Sequence, residues 1–371
     1  MDFQKTFNKY IHKNAINVGI PHKNPDKLHY RNFVIIPCYN EFDYIFDTLE
    51  SINVQNQQLL DQSLVIIIIN NSNKDSRAVV MNNQSTYELL LKKKYNFEFI
   101  AIDCFSKKNS IDSSNAGVGY ARKIGHDFSL KYIQNEFSLL CSLDADTLIS
   151  KNYLNIVNNI VSDKTSACVL NFKHQKSNDT IIEKAIRKYE NQIKYIARKI
   201  HEAGSPYGYV SMGSTIICNV SSYIACRGMS IKKATEDFYF LQSLAKYTKI
   251  KQVEECLVFP SSRAEERVYL GTGYRINEFR KLGKFENLVF SDSTFQLLKQ
   301  LISIFEKSYN KPLDVVMNKL DEKSCNFINS KKLSKIWSQI NLNAKNEVQF
   351  KLFFHQWFDA LMIMQFLKKL N

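Results

Sequence analysis

Asp144 and Asp146, in the stretch Leu139-Leu140-Cys141-Ser142-Leu143-Asp144-Ala145-Asp146-Thr147, end an apolar run with two carboxylates one residue apart. If the run is a buried strand, both side chains leave its carboxyl end on the same side, because side chains alternate with period two. Carboxylates so placed repel each other. A hard divalent cation such as Mg2+ or Mn2+ relieves that repulsion and keeps coordination positions for phosphate oxygens. The competing reading makes them capping aspartates of a helix that begins near Leu148-Ile149-Ser150. A second acidic pair, Glu236-Asp237, precedes Phe238-Tyr239-Phe240-Leu241. It too has a plain structural account, since carboxylates in a first helical turn offset the dipole by up to about 1 kcal/mol.

Positioning such groups requires a scaffold, and the apolar pattern supplies one. Phe33-Val34-Ile35-Ile36-Pro37-Cys38 and Leu64-Val65-Ile66-Ile67-Ile68-Ile69 are continuous apolar runs, the mark of strands buried on both faces. Further strands are predicted over residues 97–102 and 137–143, with helices opening at Tyr39-Asn40-Glu41 and over 77–94, 115–132 and 153–161. This alternation over residues 31–162 predicts an α/β fold with a mostly parallel, doubly wound sheet. Ligands bind such sheets at the carboxyl ends of the strands, which collects Pro37, Tyr39, Glu41, Asn70, Asn71, Arg122, Asp144 and Asp146 along one edge. The fragment Gly117-Val118-Gly119-Tyr120-Ala121-Arg122 lacks the third glycine of a dinucleotide fingerprint. Beyond residue 162 the alternation fades. Strands are expected over 167–172, 214–218 and 253–259, a long basic helix over 181–200, and helices from about 276 onward. The chain then divides into an arm (1–30), an α/β domain (31–262) and a basic loop with a helical C-terminal appendage (263–371).

Composition narrows the classes. The 371 residues are 44% hydrophobic and 23% charged, ordinary for a folded globular protein. A net charge of +14 suits an anionic ligand, an anionic membrane surface or nucleic acid. Nucleic acid is not expected, because the basic residues are not interleaved with aromatics as a single-strand platform requires. Eight cysteines without a CxxC spacing read as reduced core residues of a cytoplasmic protein. No apolar h-region or stretch of roughly 20 apolar residues is present, so neither a secretory signal nor a spanning helix is expected. The tail over 353–370 carries Phe354, Trp357, Phe358, Leu361, Met362 and Phe366 at helical spacing. Such a face is read as core or a contact between copies of the chain, with peripheral attachment to the inner membrane surface as the alternative.

In chain order, Val34-Ile35-Ile36-Pro37-Cys38-Tyr39-Asn40-Glu41, Ile69-Asn70-Asn71-Ser72-Asn73-Lys74-Asp75, the segment 115–122, Leu143-Asp144-Ala145-Asp146 and Glu236-Asp237 together resemble a family 2 glycosyltransferase of the GT-A fold. Five elements in order outweigh the capping readings. The resemblance implies transfer from a nucleotide-diphospho-sugar donor with Mn2+ or Mg2+. It implies Asp146 as metal ligand, with Asp144 at the ribose and the metal shell. Pro37 and Tyr39 would flank the nucleobase, Glu41 would lie near the nucleoside, and Arg122 would reach the nucleotide. Asp237 matches the general base of inverting transfer, with Glu236 orienting acceptor or backbone, and Gly213 and Ser214 mark a close approach of donor sugar or acceptor.

Three departures from the family pattern matter. Asn70-Asn71 stands where members commonly carry an acidic pair, so a base N–H would meet an amide carbonyl. No His lies between His201 and His355 to complete a metal site, which turns attention to Arg263, Arg267 or Arg275 as neutralisers of the diphosphate. The QxxRW signature and membrane helices of processive synthases are absent, so a single-addition soluble enzyme is expected. The acceptor is not named by the sequence; basic loops such as 263–275 would suit an anionic acceptor or one at a membrane surface. A retaining transferase, or a silent polyanion- or glycan-binding protein on the same scaffold, are the other readings.

Overall fold

The computed structural model describes residues 2–161, 165–232, 235–264 and 271–371. Two compact units emerge: Met1–Glu183 with Ser211–Ile276, and Lys184–Val210 with Asn277–Asn371. The chain thus divides differently from the sequence expectation, because residues read as an arm and part of the basic loop fold with the first unit, while 184–210 fold with the second.

Among the described residues the first unit holds a nine-stranded sheet. Its strands are β1 (Ile20–Pro21), β2 (Asn32–Cys38), β3 (Ser63–Asn70), β4 (Glu98–Cys104), β5 (Leu139–Ser142), β6 (Leu148–Ile149), β7 (Ala167–Phe172), β8 (Ile216–Asn219) and β9 (Ile250–Phe259), in the order β1-β4-β3-β2-β5-β8-β7-β9-β6. Every residue of β2 and β3 is buried, as continuous apolar runs require when helices cover both faces. β4, β3, β2 and β5 are parallel, the doubly wound half that the 31–162 alternation predicts. Their carboxyl ends therefore share one edge. Past β5 the sheet becomes mixed: β8 runs antiparallel to both β5 and β7, and β9 pairs in parallel with β7. β6 pairs antiparallel with the end of β9, Leu148 opposite Phe259, so the chain leaving β9 emerges beside the turn that joins β5 to β6.

The N-terminal helix Phe3–Lys13 is welded to this unit. Tyr10 donates from its hydroxyl to Asp127 at 2.7 Å, Tyr223 does the same at 2.8 Å, and Lys123 closes the group with an ion pair to Asp127 at 2.9 Å. The Ile16 amide donates to the other Asp127 oxygen at 2.8 Å. Asp127 is 3% exposed, and such a buried carboxylate is tolerable only when its oxygens are fully engaged.

The second unit is helical around an aromatic core of Phe305, Phe327, Phe350, Phe354, Phe358 and Phe366, each no more than 1% exposed. Of the tail's apolar face Phe354, Phe358 and Phe366 are core, Trp357 and Met362 are half-buried and Leu361 is exposed, and the segment forms two helices, Glu347–Trp357 and Ala360–Leu370. No described helix is long and apolar enough to cross a membrane. The eight cysteines are free thiols, five of them buried.

Candidate functional site

The site is built from loops that leave the carboxyl edge of the parallel strands. After β2 the chain turns at Asn40, whose φ of 57° lies in the left-handed region that Asn tolerates better than most residues. Its amide donates to the Asn83 side chain at 2.9 Å. Asn83, fully buried on the helix Arg77–Lys92, donates in turn to the Asn70 carbonyl at 3.1 Å and the Asn71 side-chain oxygen at 3.0 Å. One amide therefore fixes the loops after β2 and β3 together. Sequence reading missed Asn83, because an Asn within a helix reads as a surface residue. Asn71 is 1% exposed and Asn70 5%, and the Asn70 side-chain oxygen has no hydrogen-bond partner among the described residues. Pro37 sits inside β2 opposite Ile68, buried in the strand rather than flanking an open pocket, while Tyr39 just beyond it is half-buried.

The acidic pair after β5 lies in a turn and not in a strand. β5 ends at Ser142, the Thr147 amide donates to the Asp144 carbonyl at 3.1 Å, and the Thr48 hydroxyl donates to the Ala145 carbonyl at 2.8 Å. In a turn the alternation of a strand no longer sets the side-chain directions, and the two carboxylates take different partners. Asp144 pairs with Arg122, and Asp146 pairs with Arg263 at 3.1 Å. Gln175, which sequence reading did not single out, donates to the carbonyls of Asp146 at 3.0 Å and Phe259 at 2.8 Å. It latches the acidic turn to the end of β9.

Arg122, on the helix Val118–Ser129, is 3% exposed and pairs with both Asp144 and Glu236. The resemblance implies a nucleotide contact for this arginine; its guanidinium is held between carboxylates from two distant parts of the chain. Two glycines make room for it. A Cβ on Gly213 would run into the guanidinium itself, so the open space expected above Gly213 for a ligand is filled by Arg122. A Cβ on Gly119 would come within 2.6 Å of the Ser230 carbonyl and 2.8 Å of the Glu236 Cβ, so that glycine lets the helix approach the acidic segment. Ser214 is fully buried. Gly213→Ala is expected to destabilise the first unit by about 1–3 kcal/mol through overpacking against Arg122, read as a lowered urea midpoint with an unchanged slope.

Glu236 and Asp237 open the helix Glu236–Tyr247, and the residue before them, Thr235, has φ 61°. A β-branched residue in the left-handed region is strained, and such strain persists where the surroundings fix the backbone for another purpose. Glu236 is 4% exposed and Asp237 half-buried, its oxygen accepting from the Phe238 amide at 2.7 Å. Burial raises both carboxyls above the usual range, with Arg122 opposing the rise and neighbouring carboxylates, Asp144 among them, adding to it. Asp144, Glu236 and Asp237 thus form one electrostatic group around a single guanidinium.

A second group adjoins it through the acidic turn. Arg263 follows β9, pairs with Glu41 at 2.6 Å as well as with Asp146, and lies 4.3 Å above the Tyr44 ring. Arg275 lies on the helix Thr272–Leu282 against the Tyr274 ring. Arg267 falls outside the described residues. Among the described residues no three His, Cys, Asp or Glu side chains converge closely enough to hold a metal ion by themselves.

No family model matches the chain, and no curated protein matches it. Solved structures that it is similar to include S. aureus TarS 1–349 in complex with UDP, at 12% identity over 83% of this chain and 91% of that one, TM-score 0.42. The same protein with UDP-GlcNAc matches at 12% identity over 88% and 91%, TM-score 0.41. The mannosyltransferase PcManGT from Pyrobaculum calidifontis, in complex with GDP-Man and Mn2+, matches at 10% identity over 95% and 93%, TM-score 0.43. A likeness this distant assigns this chain neither a ligand nor a chemistry.

Proposed function

We propose that the chain is a GT-A glycosyltransferase of family 2 type, moving a sugar with inversion from a nucleotide-diphospho-sugar to an acceptor hydroxyl. The observation that carries this reading is the convergence on Arg122 of Asp144, from the turn after β5, and Glu236, nearly a hundred residues later, with Asp237 beside it. Acids this costly to gather are gathered for chemistry more readily than for stability, since a buried ion pair is weak as a stabilising device.

Each group then has a task. Asp237 takes the proton of the acceptor hydroxyl as that oxygen attacks the anomeric carbon, and its raised proton affinity makes it a stronger base than an ordinary carboxylate. Arg122 holds Glu236 and Asp144 in place and keeps the three carboxylates from repelling one another apart. The Asn70 side-chain oxygen, at the end of β3, has no hydrogen-bond partner among the described residues and is enclosed, so a base N–H would reach it only on a local opening of the loop. The residues fit a hard cation in part: Asp146 and Asp144 offer carboxylate oxygens with side chains 19% and 33% exposed, and the remaining ligands would come from the donor's phosphates and water. When bound there, a divalent cation offsets the charge that develops on the leaving diphosphate.

A thermal-shift screen of UDP- and GDP-sugars, with and without Mn2+, tests the reading. A donor present at a hundred times its dissociation constant should add about 2.7 kcal/mol of stability. Asp146→Ala should retain the fold and lose the Mn2+-dependent part of that gain. Full activity and undiminished Mn2+-dependent donor binding in Asp146→Ala would end the assignment of the metal site.

A further inference from the structure

Asn83 is fully buried within the helix Arg77–Lys92, yet the three hydrogen bonds of its side chain go to residues outside that helix. Its oxygen accepts from the Asn40 amide at 2.9 Å, and its nitrogen donates to the Asn70 carbonyl at 3.1 Å and to the Asn71 side-chain oxygen at 3.0 Å. The neighbouring Asn82 adds a second hold on the loop after β2, accepting from the Phe42 amide at 3.3 Å. Asn71 carries the connection onward: its amide donates to the Cys104 carbonyl at 3.3 Å, and its carbonyl accepts from the Ile111 amide at 2.9 Å. One buried side chain therefore joins the loops that follow β2, β3 and β4, three neighbouring parallel strands.

A buried amide inside a helix is a poor way to fill space, because Asn is a weak helix former and its polar atoms must leave water. Leucine would fill the same place, but it would leave the Asn40 amide, the Asn70 carbonyl and the Asn71 side chain without partners, and the loops would shift to find them in water. What the amide supplies is loop geometry. Resting on the reading of this edge as the donor site, we infer that Asn83 is a positioning residue for the donor nucleotide. It holds the loops that carry Tyr39, Glu41 and Asn70 in the arrangement the nucleotide meets, without touching the nucleotide itself. Asn71 belongs to the same clamp: it is 1% exposed, its side-chain oxygen is engaged by Asn83, and its side-chain nitrogen donates to the Ser72 carbonyl at 3.0 Å. Asp237 and Glu236 stand on a different helix, to which the Asn83 side chain makes no bond. Loss of Asn83 therefore weakens nucleotide binding and spares the chemical step.

The test is titration calorimetry of UDP and of GDP, each with Mn2+, into the full chain at a temperature where every variant is folded. Asn83→Leu should bind the nucleotide that the wild-type chain binds roughly tenfold or more weakly, through the loss of three hydrogen bonds at the loops. Hydrolysis of the corresponding nucleotide sugar at saturating concentration should stay within about twofold. Asn83→Asp keeps an acceptor for the Asn40 amide but offers no N–H to Asn70 and Asn71, and should fall between the two. Thr86→Val controls for instability alone, since Thr86 is equally buried and its hydroxyl donates to the Asn82 carbonyl of the same helix at 2.8 Å. It should lower the melting temperature and leave nucleotide affinity unchanged. Hydrogen exchange reads the clamp without nucleotide: the Asn40 amide should lose protection in Asn83→Leu and keep it in Thr86→Val. Unchanged or tighter nucleotide binding by Asn83→Leu, or an equal loss in Thr86→Val, overturns the inference and leaves the donor reading standing. A wild-type chain that binds neither nucleotide overturns both.

Discussion

Asp237→Asn is expected to lower the rate of sugar transfer roughly a thousandfold while donor affinity stays within about twofold, because a general base acts on the transition state and not on donor binding. The substitution is mild for the fold. An amide oxygen still accepts from the Phe238 amide, and the half-buried site loses a charge that burial already disfavours. The pH profile supplies an independent reading. A base must be ionised to work, so activity falls as pH drops through its pKa, and burial has raised that pKa above the ordinary carboxylate range. The wild-type acid limb should therefore lie above that range and vanish from the residual activity of Asp237→Asn. Parallel losses of donor affinity and rate would instead mark Asp237 as a structural residue. Formation of product with the donor's own anomeric configuration would move the chemistry to a retaining course, with Asp237 holding the acceptor.

Arg122→Met is expected to cost about 3–5 kcal/mol of stability, the penalty for leaving buried carboxylates without their counter-charge. Glu236 and Asp144 lose their shared partner at once, in a place where the arginine is 3% exposed and Glu236 4%. The loss depends on pH in a definite direction. A carboxyl whose pKa is raised in the folded state contributes stability below its unfolded pKa, and that contribution disappears as pH rises through the folded value. Glu236 is already raised by burial, and removing Arg122 raises it further. The variant should therefore come closest to wild type in acid and fall progressively behind as pH rises toward neutrality, measured by urea unfolding at several pH values. Arg122→Lys keeps a charge but cannot serve two carboxylates with one planar group, and should recover only part of the difference. A pH-independent deficit would place the cost in packing against Gly213 rather than in charge.

The parallel half of the sheet was readable because β2 and β3 are buried on both faces, which leaves an unbroken apolar signature. The acidic segments were readable for a similar reason: Asp144, Asp146, Glu236 and Asp237 interrupt apolar patterns at the ends of elements, where a carboxylate stands out. What joins them was not. Nothing in the spacing reveals that Arg122 serves two carboxylates nearly a hundred residues apart, or that Arg263 bridges Glu41 and Asp146. Charge pairs across a sheet edge are set by topology. The strand stops at Ser142, so the period of two that the expectation for Asp144 and Asp146 assumed does not extend to them. Asn83 and Gln175 passed unnoticed because their work is hydrogen bonding to backbone groups and, for Asn83, to the Asn71 amide, partners that spacing does not announce. Gly213 was singled out for its small size, and the size is used, though by a guanidinium.

The anchoring of Tyr10 bears on how the polypeptide assembles as it is synthesised. The helix Phe3–Lys13 is made before its partners: Asp127, which accepts from the Tyr10 hydroxyl, lies 117 residues later, and the Tyr223 ring packed at 5.6 Å comes later still. Pairings so remote along the chain slow folding, since the loop between them must close before any contact rewards it. The helix must therefore wait, with the face that carries Tyr10 uncovered, until the chain as far as Tyr223 has left the ribosome.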